Sequence, residues 1–211
     1  MPDLVIEDIQ YAKRPTELCR ITLSSGETLS FYPELVIQHH LHAGRRLTSD
    51  ELQQLIEENT YYLLKQKAFQ YLSYRACSVL EMKRKLLRKG FPEAQIEEVL
   101  HELIERGYLN DAQYAMDYVR SRAHRYGPRR LQAELQRKGI AQELIVHALQ
   151  KHMSEDETAE QALQWARKKQ KQLLSEPNPW KRRKKLQDFL LRKGYDYETI
   201  GVILAQLEKE D

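Results

Sequence analysis

Cysteine is scarce in this 211-residue sequence, and long apolar runs are missing. The two cysteines, Cys19 and Cys77, form neither a CxxC pair nor the closely spaced framework of a small secreted domain. No uninterrupted apolar run approaches the roughly 18 residues of a membrane span, and the first residues lack a basic region followed by an apolar one. We therefore expect free thiols, a cytoplasmic location and no membrane association.

Sequence motifs of enzymes are also missing. The chain has no GxxxxGK[ST] or GxGxxG phosphate loop, no HExxH and no GxSxG. Its histidine cluster, His39, His40 and His42, has no cysteine or carboxylate spaced to complete a tetrahedral metal site, so a polar helix face explains it better. The glutamates of residues 93–105 recur at helical spacing and fit a solvated face. We predict no enzymatic activity, no cofactor and no metal.

What the sequence does contain is a repeat. Residues 86–91 (LLRKGF) return as residues 135–140 (LQRKGI) and 190–195 (LLRKGY), and an isoleucine follows each glycine by six residues. Apolar residues around each copy are spaced as on three amphipathic helices. Arg-Lys-Gly suits the end of the second helix, because cations favour the negative helix terminus and glycine adopts a left-handed conformation without steric cost. The pattern predicts three tandem three-helix repeats.

An aromatic residue recurs on the first helix of each predicted repeat. Tyr71, Tyr118 and Trp165 each follow an alanine by three residues and lie in phase with the apolar stripe. Aromatic rings can stack on nucleic-acid bases. Their common place in the stripe favours a position in the core of each repeat instead.

The N-terminal region has a different pattern. Apolar residues alternate with polar ones on both sides of residues 24–27, which predicts a β-hairpin with Gly26 in the turn. Thr48 and Glu51 form a capping box, so a helix should run from about Ser49 through Glu58. The predicted fold is mainly α with a small N-terminal β-hairpin region. Its parts are an N-terminal extension at 1–60 and repeats at 61–107, 108–153 and 154–211.

Charge is unevenly distributed although the net charge is only +3. Net charges are −5 for residues 1–60, +7 for residues 61–153 and +1 for residues 154–211. The second helices are basic and alternate with acidic third helices in the first and third repeats, which predicts a one-sided basic stripe. Arg129 and Arg130 should lie in the first turn of a helix, where cations are unfavourable, so a partner elsewhere is expected. Such a stripe fits a phosphate backbone or an acidic protein groove.

The candidate binding face consists of basic residues on and near the three predicted second helices. These are Lys83, Arg84, Arg88, Lys89, Arg120, Arg122, Arg125, Arg129, Arg130, Arg137, Lys138, Lys181, Arg182, Arg183, Lys184 and Lys185. The charges of the Arg-Lys pairs before each glycine also serve to stabilise the helix C-terminus.

Several of these motifs occur together in one known family. The segments YLSYR at residues 71–75, KLLRKGF at 85–91, YVRSR at 118–122 and GPRRL at 127–131 closely resemble the RecX family, the regulators of the RecA recombinase. The resemblance covers residues 61–211, and the N-terminal part is similar to the extension of longer members. It implies an elongated curved array that binds the groove of the RecA filament on single-stranded DNA. It also implies inhibition of recombinase, ATPase and co-protease activities in DNA repair, homologous recombination and the SOS response.

Two other interpretations stay open at this point. A three-helix unit with a basic second helix also resembles helix-turn-helix domains, so the chain could be a DNA-binding module that acts without RecA. It could also be an interaction scaffold that uses the concave face of a repeat array. We expect the RecA filament as partner, single- or double-stranded DNA as a further ligand, and a monomeric protein.

Overall fold

A computed structural model of the chain describes residues 4–11 and 18–210, which form four strands and ten helices. The strands are β1 (Leu4–Gln10), β2 (Cys19–Leu23), β3 (Thr28–Phe31) and β4 (Arg46–Leu47). The helices are α1 (Pro33–Gln38), α2 (Ser49–Tyr74), α3 (Val79–Leu87), α4 (Glu93–Glu105), α5 (Asp111–Arg122), α6 (Pro128–Arg137), α7 (Gln142–His152), α8 (Glu155–Gln172), α9 (Pro179–Lys193) and α10 (Tyr197–Glu210). The predicted mainly α fold is confirmed.

The four strands form one antiparallel sheet in the order β3-β2-β1-β4. β2 and β3 are the predicted hairpin, in which Ile21 pairs with Leu29. Gly26 has a φ of 80° in the turn, a conformation that glycine adopts without strain. β1 extends this hairpin on its other side, so the sheet is larger than the hairpin that the sequence predicts.

The capping box of α2 is present. Thr48 accepts a hydrogen bond from the N–H of Glu51 at 3.2 Å, and the Glu51 carboxylate accepts one from the N–H of Thr48 at 2.8 Å. These hydrogen bonds lower the pKa of Glu51. The predicted end of this helix near Glu58 is wrong, because α2 continues to Tyr74. The predicted division between residues 60 and 61 therefore falls within one helix.

Asn59 explains why the helix does not stop there. It lies with Leu52 and Leu55 among the buried residues of α2. Its side chain accepts a hydrogen bond from the N–H of Tyr32 at 2.8 Å and donates one to the carbonyl of Ser30 at 2.9 Å. A buried amide with both partners does not destabilise the helix that carries it. Asn59 therefore marks a contact with the hairpin, and the helix runs through it.

The predicted apolar stripes are buried in the repeats. The second repeat, α5 to α7, has a core of Ala115, Val119, Leu131, Leu135, Ile140, Ile145 and Ala148. The third repeat, α8 to α10, has a core of Ala162, Ala166, Leu186, Leu190, Tyr195, Ile200, Ile203, Leu204 and Leu207. Burial of each large aliphatic side chain contributes about 1.5 to 3 kcal/mol. The three tandem three-helix repeats are confirmed, with the later part of α2 as the first helix.

The described chain divides into two compact units. One contains the described residues up to Arg75 together with Met82–Glu105. The other contains Ala76–Glu81 and the described residues from Arg106 onward. The first three residues of α3 thus belong to the second unit, whereas the rest of that helix belongs to the first.

The repeated Arg-Lys-Gly motif ends the second helix of every repeat, as predicted. Gly90, Gly139 and Gly194 have φ values of 82°, 81° and 100°. Lys89 and Gly90 donate backbone hydrogen bonds to Leu86 and Leu87, and the second repeat has the same pair of bonds. The motif is therefore a helix stop of nearly constant geometry.

Candidate binding surface

The recurrent aromatic residues contact the second helix of their own repeat at one equivalent position. That position is the residue before the repeated leucine. The ammonium of Lys85 lies 4.9 Å from the centre of the Tyr71 ring, Glu134 accepts a hydrogen bond from Tyr118 at 2.7 Å, and Phe189 meets Trp165 edge to face. All three aromatic rings are half-buried. They therefore lie at the edge of the core of their repeat, whereas the sequence analysis predicts a position inside it.

Glu134 joins this contact to the basic face. Burial and the hydrogen bond to Glu134 raise the pKa of Tyr118 to about 12. Partial burial acts to raise the pKa of Glu134, but the hydrogen bonds from Tyr118 and Arg130 lower it below its ordinary value. Glu134 therefore stays ionised at neutral pH and holds the Arg130 guanidinium at 3.0 Å.

A first junction links the start of α3 to the end of α6. The Ser78 hydroxyl donates to the carbonyl of Lys138 at 2.6 Å, and the Lys138 ammonium lies 2.8 Å from the Glu81 carboxylate. Tyr114 donates a hydrogen bond to the same carboxylate at 3.1 Å. Burial alone would raise the pKa of Glu81 and lower that of Lys138, but their mutual hydrogen bond reverses both shifts. Lys138 thus serves this junction, a role that the sequence analysis does not predict.

A second junction links the start of α6 to the end of α9 at the equivalent places. The N–H of Gly127 donates to the carbonyl of Lys193 at 2.8 Å, and the N–H of Arg129 donates to the carbonyl of Gly194 at 3.0 Å. The Lys193 ammonium lies 3.4 Å from the centre of the Trp165 ring. Burial lowers the pKa of Lys193, and repulsion from the nearby charge of Arg130 lowers it further.

The basic residues of α3 are only partly available for a partner. Lys83 binds Glu93 at 2.8 Å and also pairs with Glu97, so it connects α3 to α4. These two carboxylates raise the pKa of Lys83. Arg84, Arg88 and Lys89 are exposed.

The predicted arginines of α5 and the following turn differ from one another. Arg120 is exposed and pairs with Asp117 at 2.5 Å, a surface contact of small energetic value. Arg122 is half-buried with its guanidinium 4.0 Å from the centre of the Tyr118 ring. Arg125 is exposed, and its carbonyl accepts a hydrogen bond from Lys193 at 3.2 Å.

Four arginines line one open groove between α6 and the end of α9. The groove, which we call the arginine groove, is lined by Arg129, Arg130, Glu134, Arg137, Leu191, Arg192 and Gly194. The structure thus brings three of the predicted site residues together. It adds Arg192, which the sequence analysis leaves out although Arg88 and Arg137 occupy the same place in the other copies of the motif.

Arg130, for which the sequence analysis expects a partner elsewhere, has several partners within the chain. Its guanidinium pairs with Glu134, donates to the carbonyl of Arg192 at 3.2 Å and lies 3.8 Å from the centre of the Tyr126 ring. Arg129, in contrast, has an exposed side chain at the rim of the groove.

The basic run at residues 181–185 lies in the first half of α9. Arg183 pairs with Glu208, and Lys185 pairs with Glu176. Lys184 lies 5.5 Å from the centre of the exposed Trp180 ring. Lys181 is exposed and Arg182 is half-buried.

The histidine cluster serves local contacts. Nε2 of His39 lies 2.8 Å from the Glu58 carboxylate, and Nδ1 of His42 lies 3.0 Å from the carbonyl of Ala43. Among residues 4–11 and 18–210, no three His, Cys, Asp or Glu side chains are grouped closely enough to hold a metal ion. In the same residues, no helix has the length and apolar character needed to cross a membrane.

Family models match each of the three helical repeats. The first, second and third three-helix domains of RecX match residues 65–103, 110–149 and 155–204. A regulatory protein RecX from Bacillus cereus is 31% identical, over 98% of this chain and 78% of its own length. The chain belongs to the RecX family.

Other RecX proteins agree with this assignment. The regulatory protein RecX of Clostridium acetobutylicum is 28% identical over 100% of both chains. The crystal structure of a regulatory protein RecX has a TM-score of 0.71 and 25% identity, and the match covers 95% of this chain and 98% of that one. The crystal structure of RecX from Lactobacillus salivarius has a TM-score of 0.64 and 27% identity, and the match covers 72% of this chain and 98% of that one. The resemblance to RecX is therefore confirmed in sequence and in fold.

Proposed function

We propose that this RecX family member regulates RecA by binding the groove of the RecA filament on single-stranded DNA. Binding inhibits the recombinase, ATPase and co-protease activities of RecA, and the chain acts as a cytoplasmic monomer without enzymatic activity of its own. The observation that carries the proposal is the arginine groove in a protein of the RecX family. The arginines of α5 and the cations of α3 and α9 are further proposed contacts of the same partner.

The chemistry of the groove fits an anionic partner. Four guanidinium groups line it against one carboxylate, Glu134, which already pairs with Arg130. Guanidinium groups bind phosphates and carboxylates through two parallel hydrogen bonds. A DNA backbone offers phosphates, and the surface of a protein filament offers carboxylates. Arg129, Arg137 and Arg192 are exposed at the groove and are the first residues that such a partner would meet.

Inhibition follows if binding favours one state of the filament over another. A ligand shifts an equilibrium only through its different affinities for the two states. A repeat protein that contacts successive RecA subunits gains effective concentration from each added contact. One bound molecule would then hold several subunits in an inactive arrangement.

The direct test is the ATPase rate of RecA on single-stranded DNA as the protein is added in increasing amounts. We expect the rate to fall when there is much less than one molecule per RecA subunit. An unchanged rate up to a stoichiometric excess would contradict the proposal. Tight binding to duplex DNA in the absence of RecA, with affinity falling steeply as salt rises, would instead support the helix-turn-helix alternative.

A pair of variants assigns the effect to the arginine groove. Arg129→Ala with Arg137→Ala should raise the protein concentration needed for half-inhibition about tenfold or more, while the circular dichroism spectrum stays unchanged. Lys171→Ala with Lys209→Ala removes two exposed cations outside the groove and should leave inhibition unchanged. Arg130 is left intact in this test because its local partners make it part of the fold.

A further inference from the structure

The helix stop of the first repeat is uncovered, whereas the equivalent stops of the second and third repeats are each covered by a preceding helix. A Cβ added at Gly139 would lie 2.6 Å from Cβ of Leu80, and one added at Gly194 would lie 2.6 Å from the backbone nitrogen of Arg130. Among the described residues, no atom lies within 4 Å of a Cβ added at Gly90. The space that the preceding helix fills at the two junctions is open in the first repeat.

The backbone of the uncovered stop turns in the same way as that of the second repeat. Gly90 and Gly139 have φ values of 82° and 81°, and in both stops the N–H groups of the lysine and the glycine donate to the carbonyls three residues earlier. At the covered stops the carbonyl of the lysine accepts a hydrogen bond from the docked segment, at 2.6 Å from Ser78 and at 2.8 Å from Gly127. Within the described residues, no group donates a hydrogen bond to the carbonyl of Lys89 or Gly90.

The side chains at this end of α3 are also accessible to solvent. Arg88 and Lys89 are exposed, and Leu87 has 40% of its surface exposed. Phe91 is half-buried, whereas Ile140 and Tyr195 at the equivalent positions are only 4% and 1% exposed. The end of α3 therefore offers backbone acceptors, two cations and an apolar margin. We call residues 87–91 the open stop.

The charge of the open stop indicates what would cover it. At the first junction the docked helix supplies a carboxylate, Glu81, to the lysine of the motif at 2.8 Å. At the second junction no carboxylate is needed, because Lys193 lies on the Trp165 ring. The equivalent ring in the first repeat, Tyr71, already carries Lys67 and Lys85 at 5.6 Å and 4.9 Å. We therefore expect a protein segment that binds at the open stop to supply a carboxylate to Lys89.

A second copy of this chain does not supply that carboxylate. If two copies docked in the manner of the two junctions, the start of α9 in one copy would meet the open stop of the other, and this start holds Lys181, Arg182 and Arg183. At the second junction the docked Arg130 is accommodated because it pairs with Glu134 and because Lys193 lies on Trp165. The equivalent ring in the first repeat, Tyr71, already carries Lys67 and Lys85, so the cations of α9 would repel Arg88 and Lys89. The occupant should therefore be another protein.

We propose that the open stop docks the N-terminal end of a helix that carries an acidic residue in its first turn, supplied by RecA. This inference rests on the proposed function for the identity of the partner. The incoming helix repeats the contacts of Ser78 and Glu81, with its first turn against Gly90 and its carboxylate on Lys89. The open stop thereby adds a protein contact to the contacts of the arginine groove.

Gly90→Asn tests the space at the open stop. Asparagine tolerates a positive φ better than other side chains, so the helix stop is retained while the side chain fills the docking space. Gly107→Asn is the matched control, since Gly107 also has a positive φ of 75° and open space around it. Lys89→Glu tests the charge, with Lys171→Glu as its control. All four variants are checked for folding by circular dichroism.

The measured quantity is binding of each fluorescently labelled full chain to RecA filaments on single-stranded DNA. Gly90→Asn and Lys89→Glu should each weaken binding at least tenfold, and the two controls should stay within twofold of the wild type. If both test variants bind like their controls while Arg129→Ala with Arg137→Ala loses binding, the inference fails and the proposed function stands. Sedimentation of a self-associated wild type, dispersed by Gly90→Asn, would make a second copy the occupant and overturn the choice of RecA.

A second measurement tests the open stop without RecA. A synthetic peptide of residues 76–87 with Cys77→Ser contains the segment that docks at the first junction. Added at millimolar concentration to the isotope-labelled full chain, it should shift amide resonances of residues 86–91. The shifts should be absent with Gly90→Asn or with a peptide carrying Glu81→Lys. No shift in the wild type would refute docking at this end even if RecA binding is intact.

Discussion

The first and second junctions both place a helix start against the glycine and the lysine carbonyl of a helix stop, and they treat charge in opposite ways. In both, the start of one second helix lies against the glycine that ends the next second helix. At the first junction the lysine of the motif pairs with Glu81, whereas at the second it lies on Trp165 near the like charge of Arg130. The glycine and the lysine carbonyl therefore fix where the helix start docks. The contacts of the charged side chains differ from one junction to the other.

The strongest way to break this comparison is to fill the space at the glycines. Gly194→Ala adds a Cβ against the backbone of Arg130 and forces alanine into a φ of 100°, so we expect a loss of about 3 to 5 kcal/mol. Gly139→Ala should cost less, because its Cβ meets the half-buried Leu80 side chain, which can shift in part. Gly90→Ala adds only the backbone strain, about 1 kcal/mol.

Urea unfolding followed by circular dichroism at 222 nm measures this series. The expected order of destabilisation is Gly194→Ala, then Gly139→Ala, then Gly90→Ala. Equal losses for all three would show that the positive φ alone sets the cost. In that case the covered and open stops would not differ in packing as the structure describes.

The two lysines of the motif sharpen the electrostatic side of the comparison. Lys138→Met leaves the mostly buried Glu81 carboxylate without its ion pair, and we expect a loss of about 1 to 3 kcal/mol. Lys193→Met keeps an apolar, polarisable side chain against Trp165 and removes repulsion from Arg130, so the change should stay within about 0.5 kcal/mol. The free energy of unfolding at pH 7 is the measurement, and similar losses in both variants would contradict the distinction.

The helix stops are readable in the sequence, but the use of each cation is not. Arg-Lys-Gly predicts where α3, α6 and α9 end because the helix C-terminus and the positive φ are local requirements. The pairing of Lys138 depends on Glu81, which is 57 residues away, and Lys83 is likewise taken up by α4. Which cations stay on the surface is therefore decided by packing between distant segments.

The same distinction applies to the candidate site. The arginines of the GPRRL segment stand out in the sequence as cations in a first helical turn. Their assembly with Arg192 into one groove needs the second junction, which brings the start of α6 to the end of α9. Periodicity within one repeat carries no information about that contact. The helix predicted to end near Glu58 is a second case, since α2 continues through Asn59, a buried residue that bonds to β3.

The smallest expected effect concerns how stability depends on pH. Two carboxyl groups of the first junction, Glu81 and Asp111, should contribute to it in opposite directions. The pKa of Glu81 is lowered: burial opposes ionisation, but the hydrogen bond from Lys138 outweighs it. The pKa of Asp111 is raised, mainly by burial and also by Glu81, although its hydrogen bond from the N–H of Val79 opposes the shift. The ionised Glu81 therefore stabilises the fold above its unfolded pKa of about 4.3, and this stability is lost as pH falls. Asp111 stabilises most when protonated, and its contribution falls as pH rises.

Glu81→Gln and Asp111→Asn separate these two contributions. The stability lost in Glu81→Gln should be greatest near pH 7 and shrink below about pH 4, because the wild-type carboxylate is then protonated as well. Asp111→Asn keeps the oxygen that accepts from Val79 and should gain stability relative to the wild type as pH rises from about 4 to 6. Thermal unfolding between pH 3 and pH 7 measures both differences. An ion-paired Glu81 beside a desolvated Asp111 should give the two variants opposite slopes of stability against pH. Parallel slopes would therefore contradict the different environments described for these two carboxyl groups.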